Sequence, residues 1–209
     1  KLLSFKRRVK LFFQKKKSYQ GKRDNEFNWD LIRSSLIESK NALDVACNSG
    51  FYSFKLAETG CFVIGFDISE AALKNARDMA KSKNVDNVHF MDFALTPLNV
   101  VKLPKFDTVL CLSVYHHFFR LYGEDKAKEM LINLFKITNK KMYLQISSKI
   151  GKYGDNFSID LKGDQNLTES YIRNIFFKEV DCNISYIGKK REKPPSEKYR
   201  YLFLISRIN

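Results

Sequence analysis

Short apolar runs alternate with amphipathic stretches along the middle of the chain. The runs are residues 42–46, 61–67, 88–91, 106–112 and 141–146. Runs of this length, bounded by polar or glycine residues, predict strands that are buried on both faces. The stretches between them predict helices at about 51–58, 70–83 and 124–136, after an earlier helix at 29–38. This alternation predicts a doubly wound α/β sheet with right-handed crossovers.

The pattern changes after Ser148. A helix is predicted over Thr168–Phe177, with Thr168 as its N-cap. Two strands, Val180–Ile187 and Tyr199–Ile208, then bracket a charged loop that contains two prolines. Such a pair predicts an antiparallel C-terminal edge on an otherwise parallel sheet. The expected sheet therefore has seven strands and is mostly parallel.

Composition indicates one globular domain. The chain has 209 residues, of which 44% are hydrophobic and 14% aromatic. No apolar run approaches the roughly 20 residues of a membrane span, and no secretory signal is recognised, which favours a cytoplasmic location. Without CxxC spacing, the cysteines are predicted to be buried thiols and indicate neither zinc nor disulfides; they are Cys47, Cys61, Cys111 and Cys182.

The net charge of +14 is concentrated near the two ends of the chain. Residues 1–23 contain ten Lys or Arg and no acid, and residues 188–200 contain six basic and two acidic residues. The rest of the chain is close to neutral. A uniformly basic face for nucleic acid is therefore not indicated, and partners are expected near the ends.

Residues 1–28 are predicted to form a segment ahead of the domain at 29–209. In residues 1–17 the apolar side chains recur at near-helical spacing among Lys and Arg, which predicts a basic amphipathic helix. That helix has three open interpretations: peripheral contact with the inner face of a membrane, binding of a polyanion such as RNA, or docking on the domain. Residues 18–30 are polar with aromatics and are predicted to be a lid or a plain linker.

The stretch Asn41–Phe51 predicts a strand-to-helix corner. Asn48 and Ser49 are predicted to cap a helix that begins near Gly50, with free amides directed toward a ligand. Gly50 allows close approach of the backbone to that ligand. An ordinary corner without a ligand is the alternative.

Two acids follow at the ends of the next two predicted strands. Asp67 has the position from which nucleotide-binding sheets accept hydrogen bonds from ribose hydroxyls, although it could merely cap the next helix. Asp92 is predicted to accept from an adenine amino group, or to be a solvated loop acid. Their order indicates a nucleoside cofactor. The corner has one glycine where the dinucleotide fingerprint has three, which disfavours NAD.

The corner resembles motif I of the class I S-adenosylmethionine-dependent methyltransferases. Asp67 matches the ribose-binding acid of that family and Asp92 the adenine-side acid, while Ala46 replaces the usual first glycine. The resemblance implies a Rossmann-like methyltransferase fold and S-adenosylmethionine as cofactor. The cofactor-binding residues that it implies are Asp44, Ala46, Cys47, Asn48, Gly50, Phe51, Asp67, Ile68, Asp92, Phe93, Leu112 and Ser113.

The run Leu112-Ser-Val-Tyr-His-His117 places two of the three histidines at the end of the fourth predicted strand. A core histidine pair is the alternative to a functional one. Over about Leu43–Ile146 the chain is similar to the methylating half of bifunctional methyltransferase/kinases that terminate bacterial O-antigen, and the resemblance covers only that half. The same strand end resembles RNA methylphosphate capping enzymes. Both groups methylate a terminal phosphate.

That resemblance implies a phosphate acceptor for the methyl group. His116, His117 and Arg120 are the predicted catalytic residues, because cationic donors hold an oxyanion and a histidine can deprotonate a hydroxyl. No metal spacing is recognised. The predicted function is O-methylation of a phosphorylated or glycan acceptor, such as a terminal phosphate in surface polysaccharide biosynthesis. The alternatives are an RNA methyltransferase and a cofactor-binding module without turnover.

Overall fold

The computed structural model of the chain describes residues 22–150, 159–176, 179–191 and 199–208. Two compact units are present, Lys1–Leu95 and Thr96–Asn209. The predicted basic helix at 1–17 lies outside the described residues, as do residues 18–21 of the predicted lid or linker. No helix in the described ranges is long and apolar enough to cross a membrane.

The first unit alternates helices and strands along its described residues. Its elements are α1 (Lys22–Ser35), β1 (Asn41–Val45), α2 (Phe51–Ala57), β2 (Phe62–Asp67), α3 (Glu70–Ser82) and β3 (Val88–Asp92). The α3 helix begins where predicted, because the Ser69 side chain accepts a hydrogen bond from the Ala72 amide at 3.4 Å. Its buried residues recur at helical spacing and are Ala72, Leu73, Ala76 and Ala80.

The second unit begins with a short 3-10 turn at Val100–Lys102. Its other elements are β4 (Phe106–Leu112), α4 (Tyr115–Tyr122), α5 (Glu124–Lys136), β5 (Thr138–Ser147), β6 (Lys149–Ile150), β7 (Ile159–Asp160), α6 (Gln165–Phe176), β8 (Cys182–Arg191) and β9 (Tyr199–Arg207). Six of the seven β4 residues are buried, as expected for a strand covered on both faces.

Seven strands form one sheet in the order β3-β2-β1-β4-β5-β9-β8, and β6 pairs with β7 separately. The β1–β2, β2–β3 and β4–β5 pairs are parallel. In contrast, β9 is antiparallel to both β5 and β8. The prediction of a mostly parallel seven-stranded sheet with an antiparallel C-terminal edge is confirmed.

Several predicted boundaries differ from the structure. α1 begins at Lys22 instead of at residue 29, because Asn28 and Trp29 are buried within a longer helix. β8 continues to Arg191, into the predicted charged loop, and stays paired through a bulge between Tyr186 and Gly188. The short β6 and β7 strands were not predicted.

The N-cap predicted for α6 was wrong. The helix starts at Gln165, so Thr168 lies inside its first turn and donates its hydroxyl to the Asp164 carbonyl at 2.6 Å. The Asp164 carboxylate accepts from the Leu167 amide at 2.8 Å and caps the helix instead. Asp and Thr are both good N-caps, so residue type alone did not distinguish them.

Candidate active site

The loop between β1 and α2 contains three residues with left-handed backbone. The φ angles are 59° at Ala46, 52° at Asn48 and 82° at Gly50. Left-handed backbone is costly for residues other than glycine. Backbone hydrogen bonds hold the loop, from the Cys47 amide to the Phe66 carbonyl and from the Gly50 amide to the Cys47 carbonyl, each 2.9 Å long. Ala46 therefore adopts the conformation in which the related motif has glycine.

The caps predicted for α2 were wrong. Gly50 is the N-cap residue, and having no side chain it supplies no side-chain cap. The Asn48 side chain instead accepts a hydrogen bond from the adjacent Ser49 amide at 2.7 Å. Because the chain turns left-handed at both Asn48 and Gly50, the Asn48 oxygen is used within the loop and not on the helix.

Gly50 is required by packing as well as by its backbone angle. A Cβ atom at Gly50 would lie 2.6 Å from Cζ of Phe90, which is too close. A Cβ atom at Gly65 of β2 would lie 2.9 Å from Sγ of Cys47. The corner therefore packs its backbone directly against β2 and a phenylalanine of β3.

Asp67 ties the end of β2 to the corner. Its Oδ2 accepts a hydrogen bond from the Asn48 amide at 2.8 Å, and its Oδ1 accepts from the amides of Ile68 at 2.7 Å and Ser69 at 2.8 Å. A carboxylate offers about four acceptor positions. Three are used by the chain, so Asp67 shapes the loop and retains capacity for one further donor, such as a ribose hydroxyl.

Asp92 and Phe93 lie beside Asp67 at the same edge of the sheet. Asp92 is exposed and is the register partner of Asp67 in the parallel β2–β3 pair. The Phe93 amide donates to the Asp67 carbonyl at 3.1 Å, and the Phe93 ring packs 4.7 Å from that of Phe66. The two acids predicted from sequence are thus adjacent, with an aromatic side chain next to them.

Asp44 is turned into the interior of the first unit. Its side chain is buried and accepts a hydrogen bond from the Ser53 hydroxyl at 2.6 Å. Burial raises the pKa of the Asp44 carboxyl to about 7, against the lowering effect of the Ser53 bond. The Ser53 hydroxyl that donates to Asp44 therefore links α2 to β1, and the buried carboxyl keeps its proton to a higher pH than an exposed aspartate.

Two other predicted cofactor residues, Cys47 and Phe51, lie in the corner and at the start of α2. Cys47 is buried, and burial raises the pKa of its thiol, so it behaves as a small apolar residue. Phe51 begins α2 and meets the Tyr52 ring edge-on at 5.0 Å. The Tyr52 hydroxyl also bonds to α1: it accepts from the side-chain Nδ2 of Asn28 at 3.2 Å and donates to Oδ1 of Asn25 at 3.4 Å.

In the second unit, Leu112 is the last residue of β4, and Ser113 follows it at the carboxyl end of the strand. Leu112 is half-buried, and Ser113 has a left-handed φ of 56°. The Ser113 amide donates to the Gln145 carbonyl at 3.2 Å, and the Ser113 hydroxyl donates to Oε1 of the same residue. Ser113 is therefore held by β5 through two hydrogen bonds.

The three predicted catalytic residues lie together on α4. This region was expected to be a strand end, but the chain turns at Ser113 into a helix. His116, His117 and Arg120 are half-buried and occupy positions i, i+1 and i+4, which share one helix face. The two imidazole centroids are 4.0 Å apart. The structure thus brings the predicted cationic cluster together.

The opposite face of α4 anchors it in the second unit. Tyr115, Phe118 and Phe119 are buried there. The Tyr115 and Tyr171 hydroxyls are 2.8 Å apart, which joins α4 to α6. Burial raises the pKa of both phenols, so they remain neutral. Within the described residues, no group of three or more His, Cys, Asp or Glu is arranged to hold a metal ion.

A family described as "Methyltransferase domain" matches residues 37–185 of the chain. The chain belongs to this methyltransferase family. It is a Rossmann-like, S-adenosylmethionine-dependent methyltransferase domain, and S-adenosylmethionine is its cofactor. The match includes the corner, both acids and the histidine pair.

Curated relatives of the methyltransferase domain include two kinds of enzyme. It is 28% identical over 111 residues to the O-antigen chain terminator bifunctional methyltransferase/kinase WbdD of Escherichia coli, covering 53% of this chain and 16% of that protein. It is 30% identical over 90 residues to the ubiquinone biosynthesis O-methyltransferase of Acinetobacter baumannii (strain AYE), covering 43% and 38% respectively. The chain therefore spans only a minor part of the length of these relatives.

Solved structures show the same fold. A 2.2 Å crystal structure of WbdD superposes with a TM-score of 0.65 at 20% identity, covering 90% of this chain and 41% of that one. The magnesium protoporphyrin IX methyltransferase of Synechocystis PCC 6803 with bound S-adenosylmethionine gives a TM-score of 0.61 at 23% identity, covering 88% and 77%. At these identities the likeness concerns the fold alone.

Two polar residues near the predicted site residues of the methyltransferase domain were not anticipated. Ser53 follows Asp44 by nine positions, in the next helix, and its partner was not evident from spacing. Gln145 interrupts the otherwise apolar run at 142–146, and that interruption was a signal that could have been used.

Proposed function

We propose that this methyltransferase domain transfers the methyl group of S-adenosylmethionine to an oxygen atom of a phosphorylated or glycan acceptor. The observation that carries the proposal is the placement of His116, His117 and Arg120 on one face of α4. The ubiquinone biosynthesis O-methyltransferase relative supports oxygen as the methylated atom. A terminal phosphate of a surface polysaccharide precursor is the acceptor that we favour.

The cofactor is assigned to the residues predicted from motif I and its neighbours. In this proposal Asp67 accepts a hydrogen bond from a ribose hydroxyl and Asp92 accepts one from the adenine amino group. The chemistry of these acceptors suits the donors of a nucleoside. The remaining contacts are assigned to Asp44, Ala46, Cys47, Asn48, Gly50, Phe51, Ile68, Phe93, Leu112 and Ser113.

The role of the chain in phosphate methylation is mainly to hold the acceptor. Transfer of a methyl group from a sulfonium depends on placing the nucleophile in line with the methyl carbon. A phosphate monoester, with a second pKa near 6, is already anionic at neutral pH and needs little base assistance. Arg120 can bind two phosphate oxygens with its planar guanidinium, and the histidines can donate further hydrogen bonds.

A hydroxyl acceptor would require different chemistry from the same residues. An alcohol is not ionised at neutral pH, so His116 or His117 would have to remove its proton. Turnover would then require a neutral imidazole and rise with pH through its titration. A phosphate acceptor held by imidazolium would show the opposite dependence once the phosphate is fully ionised.

A labelled-methyl screen tests the proposal. Phosphorylated glycans, nucleotides and RNA are incubated with the domain and isotopically labelled S-adenosylmethionine, each with and without prior phosphatase treatment. We expect label in a phosphorylated glycan and loss of label after phosphatase. Label that survives phosphatase would exclude phosphate as the target, and preferential labelling of RNA would support the RNA methyltransferase alternative. Cofactor binding without transfer to any acceptor would favour a binding module.

A variant of His117 tests the role proposed for the histidine pair of α4. His117→Ala is expected to lower kcat by about 100-fold or more if the imidazole acts as base, or to raise KM if it only positions the acceptor. S-adenosylhomocysteine affinity should stay unchanged. His89→Ala is the matched control, because His89 lies on β3 and packs on Phe62 at 5.2 Å. Full turnover by His117→Ala would contradict the assignment.

A further inference from the structure

A row of polar side chains crosses three strands where β5 ends. Ser147 of β5, Arg200 of β9 and Lys190 of β8 are register partners across neighbouring strands. Residues paired in this way have side chains on the same face of a sheet. The two half-buried cations therefore lie side by side, at the edge where parallel α/β sheets bind ligands.

Gln145 lies on the same face, one row further into the sheet. It precedes Ser147 by two positions, so both side chains point to one side of β5. The residue is only 3% exposed. Its Oε1 accepts from Ser113, but within the described residues its Nε2 has no hydrogen-bond partner. A buried amide donor without a partner is costly, which indicates that a ligand supplies an acceptor.

Arg200 and Lys190 are opposite each other in the antiparallel β8–β9 pair. Like charges in such a pair repel each other, and a bound anion would reduce that repulsion. The start of β9 is fastened to the end of β5, because Ser148 donates its amide to the Tyr199 carbonyl at 2.7 Å and accepts from the Tyr199 amide at 3.1 Å. Arg200 is thereby positioned beside Ser147 before any ligand arrives.

We propose that Arg200, Lys190 and Gln145 form a subsite for a phosphate group of the acceptor. The inference rests on the proposed function and deepens it, because it names an anionic group that the site recognises. The guanidinium binds two oxygens in a fixed fork, the ammonium adds a point charge, and the amide donates one hydrogen bond. A fully ionised phosphate accepts all of these bonds without having to donate one.

The test is titration of the domain with inorganic phosphate in the presence of saturating S-adenosylhomocysteine, followed by amide nuclear magnetic resonance. The Gln145 side-chain signals are identified by their loss in Gln145→Leu. We expect phosphate to shift these signals. Arg200→Gln and Lys190→Gln should each raise the phosphate Kd by about tenfold, the effect of losing one charge-assisted contact. Acetate, with two oxygens, should bind more weakly than phosphate.

Lys189→Gln is the matched control. Lys189 is the neighbour of Lys190 on the same strand, but it lies over the Tyr199 ring at 5.2 Å, on the other face of the sheet. We expect its phosphate Kd to stay within about twofold of the parent value. Melting temperatures and S-adenosylhomocysteine affinity identify any variant that is misfolded. Arg200→Gln and Lys190→Gln keep the test valid if Gln145→Leu does not fold.

Equal phosphate Kd values for the parent, Arg200→Gln and Lys190→Gln would overturn the subsite, and so would Gln145 signals that do not move. Displacement of phosphate by S-adenosylhomocysteine would also overturn it, because it would assign these donors to the cofactor. Failure of the proposed function can be distinguished from failure of the subsite. A domain that binds phosphate here but labels no phosphorylated acceptor would contradict the proposed function and leave the subsite standing.

Discussion

The two compact units hold their site residues by different means. At the corner of the first unit, backbone groups make most of the connections: three amides converge on the Asp67 carboxylate, and Gly50 packs its backbone on Phe90. In the second unit, bonds between side chains make a larger contribution, as between Ser113 and Gln145 or Tyr115 and Tyr171. A site held by backbone groups tolerates many side-chain substitutions, but not an added atom where the backbone is in contact. A site held by side chains can change its ligand through substitutions that leave the fold intact.

The largest effect is expected at Gly50. Gly50→Ala should lower the free energy of unfolding by about 2–4 kcal/mol, because it adds backbone strain and a Cβ atom pressed on Phe90. Gly60→Ala is the control, since Gly60 has a similar φ of 84° but no atom within 4 Å of the added carbon. It should cost only about 1 kcal/mol. Equal losses in urea denaturation would show that packing at the corner is unimportant.

Asp67 should matter more than Asp92 for the cofactor. Asp67→Ala removes the acceptor for three amides and the proposed ribose contact, so S-adenosylhomocysteine affinity should fall by about 100-fold. Asp92→Ala removes an exposed acid and leaves the three amide bonds to Asp67 in place, so we expect about a tenfold loss. Isothermal titration calorimetry on both variants measures the difference. Similar losses would mean that the backbone network around Asp67 contributes nothing to binding.

Stability should depend on pH through Asp44. Its pKa is about 7 in the folded chain and near 4 when unfolded, so the native state holds the proton more tightly. This group therefore stabilises the fold fully below about pH 4, and the contribution is lost as pH rises to about 7, at no more than about 1.4 kcal/mol per pH unit. Asp44→Asn, which stays neutral and can still accept from Ser53, should remove that decline.

Chemical denaturation of the cofactor-free protein at several pH values measures this effect. The comparison of interest is the slope between pH 5 and pH 7 for the parent and for Asp44→Asn. A variant that loses stability as steeply as the parent would assign the pH dependence to other groups.

The smallest change in stability is expected on substitution by glycine at two residues with left-handed backbone, one from each unit. Ala46→Gly relieves strain at a φ of 59° and should stabilise the fold by up to about 1 kcal/mol, reduced by the greater freedom of glycine when unfolded. Ser113→Gly relieves the same strain but removes the hydrogen bond to Gln145, so it should destabilise by about 1 kcal/mol. Changes of equal sign would contradict the contrast between the two units.

Much of the sheet was predictable because its strands are short apolar runs with sharp ends. β4 and α5 have the bounds expected from sequence, and α3 begins at the expected residue, Glu70. Errors arose where several residues were chemically suited to one role. Asp164 and Thr168 both suit an N-cap, and Asn48 and Gly50 both suit a tight turn, so only the path of the backbone determined which residue was used.

The amino-acid order was sufficient for the alternation of strands and helices, for the acids at the ends of β2 and β3, and for the methyltransferase motif, because each depends on residues close together in the chain. The partners of Asp44 and Ser113, the helical placement of the histidine pair, and the row of Ser147, Arg200 and Lys190 depended on folding. Those contacts join distant segments, and strand register decides which side chains share a face.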